Sequence, residues 1–446
     1  MANQLPRPTP FLLISPYFPP MGISGAKRAL HLVRHLPQHG YLPLVLAGNP
    51  ALEPADPDLA HAIPRDAVVQ YNFSGIVRPA LNRTQRSPGA VKTSTNPKSR
   101  LHFPPSWRYL TPFDRYLWDV PAAVRAGLSM IDRYGAKAIH VSADPWSGLV
   151  AGWYLHRRTG LPLVADLRDP WSMHQAKMAL RPRGSQQLLR QVEETIFETA
   201  SAVILNTQSC RDAYVNAFRG RIGADRFYAV HNAFDPSLFE PTPAQLADVF
   251  TVLYFGRFRQ FVGPTSLLSG FAAFVQELKL TPNQARLRIV GESETNVAEA
   301  IVAAGLTAFA DITPAVPFRQ SLGVLQNAHV LTLVIEDECQ LQIPGKLFDY
   351  LAAQRPILAI SSNREANEIL RHTSAGWSVS PHDPAAITRT LVRLYGDPRV
   401  RTHPYPLDHA VADQYSAHQQ ANKIATILNA VLNSPTARPK SRGLNL

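Results

Sequence analysis

Short apolar runs of four to seven residues recur along the chain, and longer amphipathic stretches separate most of them. Runs of this length that are rich in branched and aromatic residues are typical of buried strands. In the first half of the chain the pattern predicts strands at 11–14, 42–46, 67–71, 138–141, 163–166, 202–205 and 227–230. Because helical stretches lie between most of them, the pattern predicts an α/β fold with a parallel sheet covered on both faces.

A proline-containing segment after residue 231 separates this series from a second one. The second series has predicted strands at 251–255, 286–290, 330–334 and 356–360 and predicted helices at 264–277, 295–304, 320–327 and 345–353. The sequence therefore predicts two doubly wound, Rossmann-like domains facing across a cleft, residues 1–235 and 236–433, with the last helix packing back toward the first domain. A disordered tail is expected at 434–446. Ligands of such domains bind at the carboxyl ends of the strands, so the cleft is the expected site.

Composition excludes several classes of protein. The chain has 446 residues, of which 45% are hydrophobic and 17% charged, which is too apolar for a disordered protein. Its two cysteines, Cys210 and Cys339, lie far apart and form no spaced cluster, so we expect neither a disulfide framework nor a cysteine metal site. Prolines interrupt the first ten residues, and no apolar run is long enough for a bilayer. These features predict a cytoplasmic protein without membrane spans.

The charge is unevenly distributed. Lysine and arginine exceed aspartate and glutamate by 45 to 33, a net charge of +12. Much of this excess lies in residues 78–115, where the only acidic residue is Asp114 and the basic ones are Arg78, Arg83, Arg86, Lys92, Lys98, Arg100, Arg108 and Arg115. This segment is also rich in Ser, Thr, Asn and Pro, which predicts a basic excursion from the first domain. Anionic lipid, a phosphate-bearing substrate and nucleic acid would all be attracted to it, and a merely solvated loop is the alternative.

The strongest candidate for chemistry is the segment IPGKLFDYLAAQRPILAI, Ile343 to Ile360, a predicted helix followed by a strand. A helical projection places Leu347, Phe348, Leu351 and Ala352 on a core face and Lys346, Asp349, Tyr350 and Ala353 on the other. A lysine in the first turn of a helix is unfavourable unless an anion lies there. The N–H groups of Gly345 and Lys346 with the ammonium group suit a diphosphate, and Asp349 suits a ribose diol. A solvent-facing Lys–Asp pair is the alternative.

Other strand ends carry further candidates. In YFGRFR, Tyr254 to Arg259, Arg257 follows a strand-end glycine and is placed to clamp the same diphosphate, unless it is a plain surface arginine. In VADLRDPW, Val164 to Trp171, Arg168 could hold an anion and Asp169 could act as a base or orient a sugar hydroxyl. A buried Arg–Asp pair closing a turn is the alternative there.

Glycines also open the first helix. Gly22 and Gly25 in SPYFPPMGISGAK would let a ligand approach the helix start, although an ordinary strand–loop–helix turn is the better explanation from these residues alone. The segment is not a dinucleotide fingerprint, and the chain contains no G-x-x-x-x-G-K-[ST], G-x-S-x-G, H-E-x-x-H or C-x-x-C motif. P-loop hydrolysis, esterase chemistry and zinc sites therefore lack support.

With these residues in view, the chain resembles the GT-B glycosyltransferases, in particular group 1 or family 4. YFPPMGISGAKRALHLVRHLPQHGY resembles the family's glycine loop and first helix, LVADLRDPW a strand-end motif of one subgroup, and YFGRF the first strand of the second domain. VILNTQ with VHNAFDPSLFEP resembles the stretch that enters that domain. IPGKLFDYLAAQRPILAI with AGWSVSPHD resembles the nucleotide-binding segment, the most specific of these matches. The resemblance covers nearly the whole chain.

This resemblance implies transfer of a sugar from a UDP- or GDP-linked donor to a hydroxyl acceptor, with retention of configuration, no metal and no other cofactor. The acceptor would be a glycan, a lipid-linked or a small molecule, in polysaccharide or glycoconjugate synthesis. The implied donor-binding residues are Gly25, Arg257, Phe318, Gly345, Lys346 and Asp349, and the implied catalytic residues are Arg168 and Asp169, where other subgroups have a histidine.

Two departures from the family pattern leave alternatives open. Many members carry two glutamates eight positions apart, whereas this chain has Leu341 at the first position and the shorter Asp349 at the second. The missing glutamate motivates the alternative of an inactive GT-B-like scaffold that binds a glycan or nucleotide. Sugar-nucleotide epimerisation on the same fold is a third hypothesis.

The basic segment 78–115 generates one testable prediction. The donor domain needs few cations, and nucleic acid is not an expected partner. We expect peripheral contact with an anionic membrane face or a phosphate-linked acceptor. Replacing Lys92, Lys98 and Arg100 by glutamine is expected to weaken binding to anionic vesicles, measured by co-sedimentation. The expected loss of binding free energy is roughly 1 kcal/mol per residue. Unchanged binding to these vesicles would reject the membrane hypothesis.

Overall fold

The computed structural model describes residues 8–52, 55–73, 114, 116–239, 245–258, 263–291 and 296–434. Apart from Asp114, the predicted basic excursion 78–115 lies outside these residues, and so does the predicted tail except Ser434. The described chain forms two parallel sheets, each placed between helices.

The first sheet has seven parallel strands in the order β3-β2-β1-β4-β5-β6-β7. The strands are β1 (Thr9–Ser15), β2 (Tyr41–Gly48), β3 (Val68–Phe73), β4 (Ile139–Ala143), β5 (Leu163–Leu167), β6 (Ala202–Leu205) and β7 (Phe227–Ala229). The helices are α1 (Ala26–His35), α2 (Pro57–His61), α3 (Val120–Tyr134), α4 (Ser147–Thr159), α5 (Gln175–Ala179), α6 (Arg183–Thr199) and α7 (Gln208–Ala217). The strand order reverses direction between β1 and β4, the usual ligand position of a doubly wound sheet.

The second sheet has six parallel strands in the order β10-β9-β8-β11-β12-β13. The strands are β8 (Phe250–Phe255), β9 (Ala285–Val290), β10 (Ala310–Thr313), β11 (Val330–Ile335), β12 (Ile357–Ser361) and β13 (Gly376–Val379). The helices are α8 (Thr265–Glu277), α9 (Val297–Ala303), α10 (Phe318–Asn327), α11 (Lys346–Ala353), α12 (Arg364–His372) and α13 (Pro384–Gly396), followed by α14 (His409–Asp413) and α15 (Ala417–Asn433).

Local sequence accounts for these elements. The central strands β4, β5, β6, β11 and β12 are buried at every position and are mostly apolar rather than alternating. Their few polar residues, such as His140 and Asp166, are buried as well. Several helices begin where a polar side chain accepts the N–H of a first-turn residue, as Thr207 does for α7 and Asn363 for α12. The residue pattern therefore sets both the strands and the helix starts.

The predicted α/β fold class with two doubly wound sheets is confirmed. Each of the predicted strands overlaps an observed strand. The sequence analysis did not predict β10 or β13, which lie at the two edges of the second sheet, because most of their residues are only half-buried. The helical projection was wrong for Tyr350 and Ala353, which are both fully buried. The Tyr350 hydroxyl donates to the carbonyl oxygens of Phe255 and Thr332.

The last helix packs on the first sheet rather than on the second. Ile424 and Leu428 of α15 belong to the same buried cluster as Phe11 and Leu13 of β1. The Tyr41 hydroxyl donates to the Asn429 side chain at 2.7 Å. Residues 230–249 connect the sheets, and we keep 235 as the proposed domain boundary. Among the described helices, none is both long and apolar enough to cross a bilayer.

Replacing Ile424 by alanine is expected to destabilise the first domain by about 2–5 kcal/mol, because the fully buried side chain leaves a cavity between α15 and the sheet. The measurement is urea unfolding followed by tryptophan fluorescence. Asn422 is the matched control, since it lies exposed on the same helix and its replacement by alanine should change stability by less than about 0.5 kcal/mol. Equal stability of the two variants would contradict the packing.

Candidate active site

The glycine loop before α1 lies against Arg168, which follows β5. A Cβ atom on Gly25 would lie 2.1 Å from Nη1 of Arg168, so the guanidinium group packs where a side chain would be. The Arg168 side chain donates to the carbonyl oxygens of Ala143 and Asp144, and its guanidinium carbon lies 5.7 Å from the centre of the Tyr17 ring. Gly25 is therefore required for space, and Arg168 brings positive charge to the start of α1.

Asp169 lies in a different environment from the neighbouring Arg168. The alternative of an Arg168–Asp169 pair does not hold, because Arg168 donates to backbone carbonyl groups instead. Asp169 is half-buried and its carboxylate has no hydrogen-bond partner among the described residues. Near it, burial raises the pKa of the Asp144 carboxyl group despite the nearby charges of Lys177 and Arg168. This sheet edge thus presents a carboxylate that is available to a substrate hydroxyl.

A buried ion pair anchors α1 below this edge. Arg28 donates from Nε and Nη2 to both carboxylate oxygens of Asp166, each at 2.8 Å, and His140 Nε2 lies 3.1 Å from Oδ2. Burial alone would raise the pKa of Asp166, but Arg28 and His140 outweigh it and lower the pKa to about 2. The carboxylate therefore stays charged, and the ion pair links helix α1 to strand β5.

In the second domain, Lys346 stands at the start of α11 above the end of β8. Its ammonium nitrogen donates to the Tyr254 hydroxyl at 2.9 Å and lies 4.2 Å from the centre of that ring. Gly256, which has φ +130°, lies below it, and a Cβ there would be 2.9 Å from the same nitrogen. A glycine is thus needed at position 256, both for the backbone conformation and to leave space for the Lys346 side chain.

The neighbouring strand ends complete this part of the site. Gly291 after β9 has φ +134° and lies so close to Gly256 that a Cβ would be 2.5 Å from the Gly256 oxygen. Arg257 is exposed directly after Gly256, while Phe258 is buried and stacks on Tyr254 with ring centres 3.8 Å apart. The structure thus brings Lys346 to the loop that carries Arg257. The N–H of Gly345 has no acceptor among the described residues.

Sequence reasoning missed one residue that reaches across the cleft, Lys27. The Lys27 ammonium nitrogen, in the first turn of α1, donates to Oδ2 of Asp349 at 2.7 Å and lies 4.2 Å from the centre of the Phe318 ring. Two of the predicted donor-binding residues, Phe318 and Asp349, therefore meet at a single cation from the other domain. The signal was present in the sequence, since a lysine in a first helical turn was the reason for selecting Lys346.

Carboxylates also cross between the domains to cap helices. Asp56 accepts the Phe318 N–H at 2.9 Å, at the start of α10. In the opposite direction, Glu365 of α12 accepts the N–H groups of Gln208 and Ser209 at 2.7 and 2.8 Å, at the start of α7. Glu365 also lies 2.7 Å from His231 Nε2. A negative side chain at a helix start satisfies free N–H groups and the helix dipole together, so these contacts stabilise the interface.

The position of the missing family glutamate is occupied by an interface contact. Leu341 packs against the core of the first domain, and its carbonyl oxygen accepts the Thr207 hydroxyl at 2.9 Å. Glu336, which follows β11, accepts the Gly263 N–H at 3.1 Å instead. Beside Leu341 opens a cavity of about 480 Å³, whose lining includes Met173, Met178 and Arg190. No group of three His, Cys, Asp or Glu side chains within the described ranges is placed to hold a metal ion.

The architecture of two facing parallel sheets is that of the GT-B fold, and solved structures share it. Sucrose-phosphate synthase from Thermosynechococcus elongatus superposes with a TM-score of 0.67 at 16% identity, covering 95% of this chain and 99% of the other. HepE from Anabaena, solved with UDP and glucose, gives 0.59 at 16% identity over 94% and 99%. A glycosyltransferase from Rickettsia africae gives 0.60 at 12% identity over 96% and 100%. At these identities the likeness shows the fold.

The sequence of the second domain matches a known protein family. Residues 249–397 match the family model described as glycosyl transferases group 1. No curated protein matches the chain at a significant level. This match confirms the resemblance to group 1 glycosyltransferases over the second domain.

The interdomain cap Glu365 predicts a pH dependence. His231 and the α7 N–H groups lower its pKa to about 2 against the opposing effect of burial, below the value of 4.5 for an unperturbed glutamate. A lowered pKa stabilises the folded chain at pH values above that of the unfolded side chain, and the contribution is lost as the pH falls through the folded pKa. Replacing Glu365 by glutamine should thus cost roughly 2 kcal/mol at pH 7 and progressively less below pH 4.

The measurement is the urea midpoint of wild type and variant at pH 7, 5 and 3.5. Glu368 provides the control, because it lies on the same helix and, among the described side chains, pairs with the exposed Arg364 alone. Replacing Glu368 by glutamine should change stability by less than about 0.5 kcal/mol. A difference for the Glu365 variant that does not shrink at low pH would refute the charged cap.

Proposed function

We propose that this glycosyltransferase moves a sugar from a nucleoside diphosphate sugar, UDP- or GDP-linked, to a hydroxyl group of an acceptor. The first domain holds the acceptor and the second holds the donor. The observation that carries the proposal is Lys346 at the start of α11, over a glycine that leaves room for it. Support also comes from HepE, a protein of this fold that was solved with UDP and glucose.

The start of α11 has the charge distribution that a diphosphate requires. The positive end of the helix dipole and the N–H of Gly345 lie at the helix start, and Lys346 is the first residue of the helix. The leaving nucleoside diphosphate gains negative charge as the sugar bond breaks, so these groups stabilise the transition state more than the ground state. Arg257, exposed on the adjacent loop, would add a second cation to the same oxygens.

The nucleoside would lie one helical turn further along. Asp349 follows Lys346 by three residues on the same helix, which matches the separation of a ribose from its diphosphate. Phe318 at the start of α10 would contact the base, and it contacts the same Lys27 ammonium group as Asp349 does. In this arrangement phosphate, ribose and base each have a named partner.

The acceptor would bind at the edge of the first sheet. Asp169 has no hydrogen-bond partner among the described residues and would accept a hydrogen bond from the acceptor hydroxyl, orienting it toward the donor sugar. Arg168, held beside Gly25, would face the anion that forms on the donor. Its carbonyl contacts to Ala143 and Asp144 keep the guanidinium group in place before substrate arrives. The cavity beside Leu341 offers space for the rest of the acceptor.

Retention of the anomeric configuration, independence from metal ions and a role in polysaccharide or glycoconjugate synthesis are further parts of the proposal. Two cations and a helix start would do for the diphosphate what a divalent cation does elsewhere. Two further properties remain predictions from the sequence. One is a cytoplasmic location, and the other is peripheral contact of the basic segment 78–115 with an anionic membrane. A donor-by-acceptor screen, repeated with EDTA and followed by NMR of the anomeric proton, tests the first two parts.

Replacing Lys346 by alanine is expected to lower transfer by a factor of about a hundred or more and to weaken binding of UDP or GDP, because the helix start loses its fixed cation. The measurements are turnover with the donor found in the screen and calorimetric titration with the nucleoside diphosphate.

Lys137 is the matched control, an exposed lysine just before β4 at the opposite edge of the first sheet. Replacing it by alanine should leave both quantities unchanged. Wild-type turnover in the Lys346 variant would overturn the assignment. Tight nucleotide binding by the wild type without turnover on any donor would favour the inactive scaffold.

A further inference from the structure

We propose that Lys27 of the first domain is a positioning residue of the donor site. It holds the Asp349 carboxylate for the ribose hydroxyls of the donor and thereby ties the first domain to the nucleoside. This inference rests on the proposed function, because it takes the donor to be a nucleoside diphosphate sugar. It adds to that proposal a residue from the domain opposite the donor.

The contacts of Lys27 are short and sheltered. Its ammonium nitrogen lies 2.7 Å from Asp349 Oδ2, with the two side chains only 20% and 16% exposed. The same nitrogen lies 4.2 Å from the centre of the Phe318 ring, a distance typical of a cation–π contact. Partial burial reduces screening by salt, so this pair is stronger than an ordinary surface ion pair.

The local surroundings of Lys27 oppose a lysine unless an anion is near. Lys27 is the second residue of α1, where the helix dipole disfavours a cation. The guanidinium group of Arg168 lies beside Gly25 and adds positive charge at the same helix start. No acidic residue lies in the first turn of α1. Asp349 of the second domain is therefore the group that offsets this charge.

The pairing leaves Asp349 able to bind a ligand. Lys27 takes Oδ2, and Oδ1 has no partner among the described residues. An ionised carboxylate accepts several hydrogen bonds, so Oδ1 can accept ribose hydroxyls while Oδ2 stays paired. Fixing a side chain before the ligand arrives reduces the entropy lost on binding. Lys27 thus prepares the carboxylate rather than blocking it.

The ribose hydroxyls make the inference testable. If Lys27 acts through Asp349, its loss weakens only ligands that carry those hydroxyls. If instead it contacts the diphosphate directly, its loss weakens all nucleoside diphosphates alike. Comparison of a nucleoside diphosphate with its 2′,3′-dideoxy form separates these two cases.

The experiment is calorimetric titration of the full chain with UDP and GDP, continued with whichever binds more tightly and with its 2′,3′-dideoxy form. Lys27→Ala is expected to weaken binding of the normal nucleotide about tenfold, the size of one hydrogen bond to a charged group. The same variant should change binding of the dideoxy form by less than about twofold. Lys27→Arg, which keeps the charge, should restore most of the loss.

A double-mutant cycle tests the route through Asp349. Asp349→Asn should weaken the normal nucleotide, and adding Lys27→Ala should cause little further loss, because both changes remove one interaction. Lys137→Ala serves again as the exposed lysine control. Thermal unfolding of each variant checks the fold, and a purely structural role for Lys27 would lower the melting temperature without altering the preference for ribose over dideoxyribose.

Each outcome has a distinct meaning. If the wild type binds neither UDP nor GDP, the proposed function fails and this inference falls with it. If the wild type binds and Lys27→Ala binds equally well, the inference alone is wrong. A loss of the same size for the dideoxy form would also overturn it, because Lys27 would then contact the phosphates.

Discussion

The buried ion pair between Arg28 and Asp166 is the interaction on which the site depends. Arg28 holds both oxygens of Asp166 and also donates to the carbonyl oxygens of Val230 and His231, each at 3.0 Å. One guanidinium group therefore joins helix α1, strand β5 and the segment that leaves the first sheet. Removing either partner would leave an uncompensated buried charge, which is strongly destabilising. With α1 fixed in this way, the glycine loop and Lys27 face the cleft at a defined position.

The cleft is held together by a recurring pairing of charge with helix starts. Asp56 caps a helix of the second domain, and Glu365 caps a helix of the first. Lys27 and Lys346 instead place a cation at a helix start. A cation at this position is unfavourable unless an anion lies near it. For Lys27 that anion is already Asp349, whereas for Lys346 we propose the donor diphosphate. The difference separates a contact that organises the site from one that binds the substrate.

The sequence predicted much of the fold because its central strands are mostly apolar. Short runs such as 330–334, with few polar residues, are typical of a sheet covered on both faces. Strands β10 and β13 were missed for the opposite reason, since edge strands are half-exposed and carry little pattern. Tyr350 was assigned to the wrong face because a helical projection cannot show that strands β8 and β11 offer carbonyl groups to a buried hydroxyl.

What the sequence by itself determined is the central strands of both sheets, the glycines at strand ends and the charged residues near them, including Arg168, Arg257 and Lys346. These depend on neighbours along the chain, on hydrophobic period and on backbone conformation. The tertiary structure decided which of these residues meet. Lys27 and Asp349 are separated by 322 positions, and Glu365 and Ser209 by 156. No local pattern encodes such contacts, because they exist only once two separately formed sheets face each other.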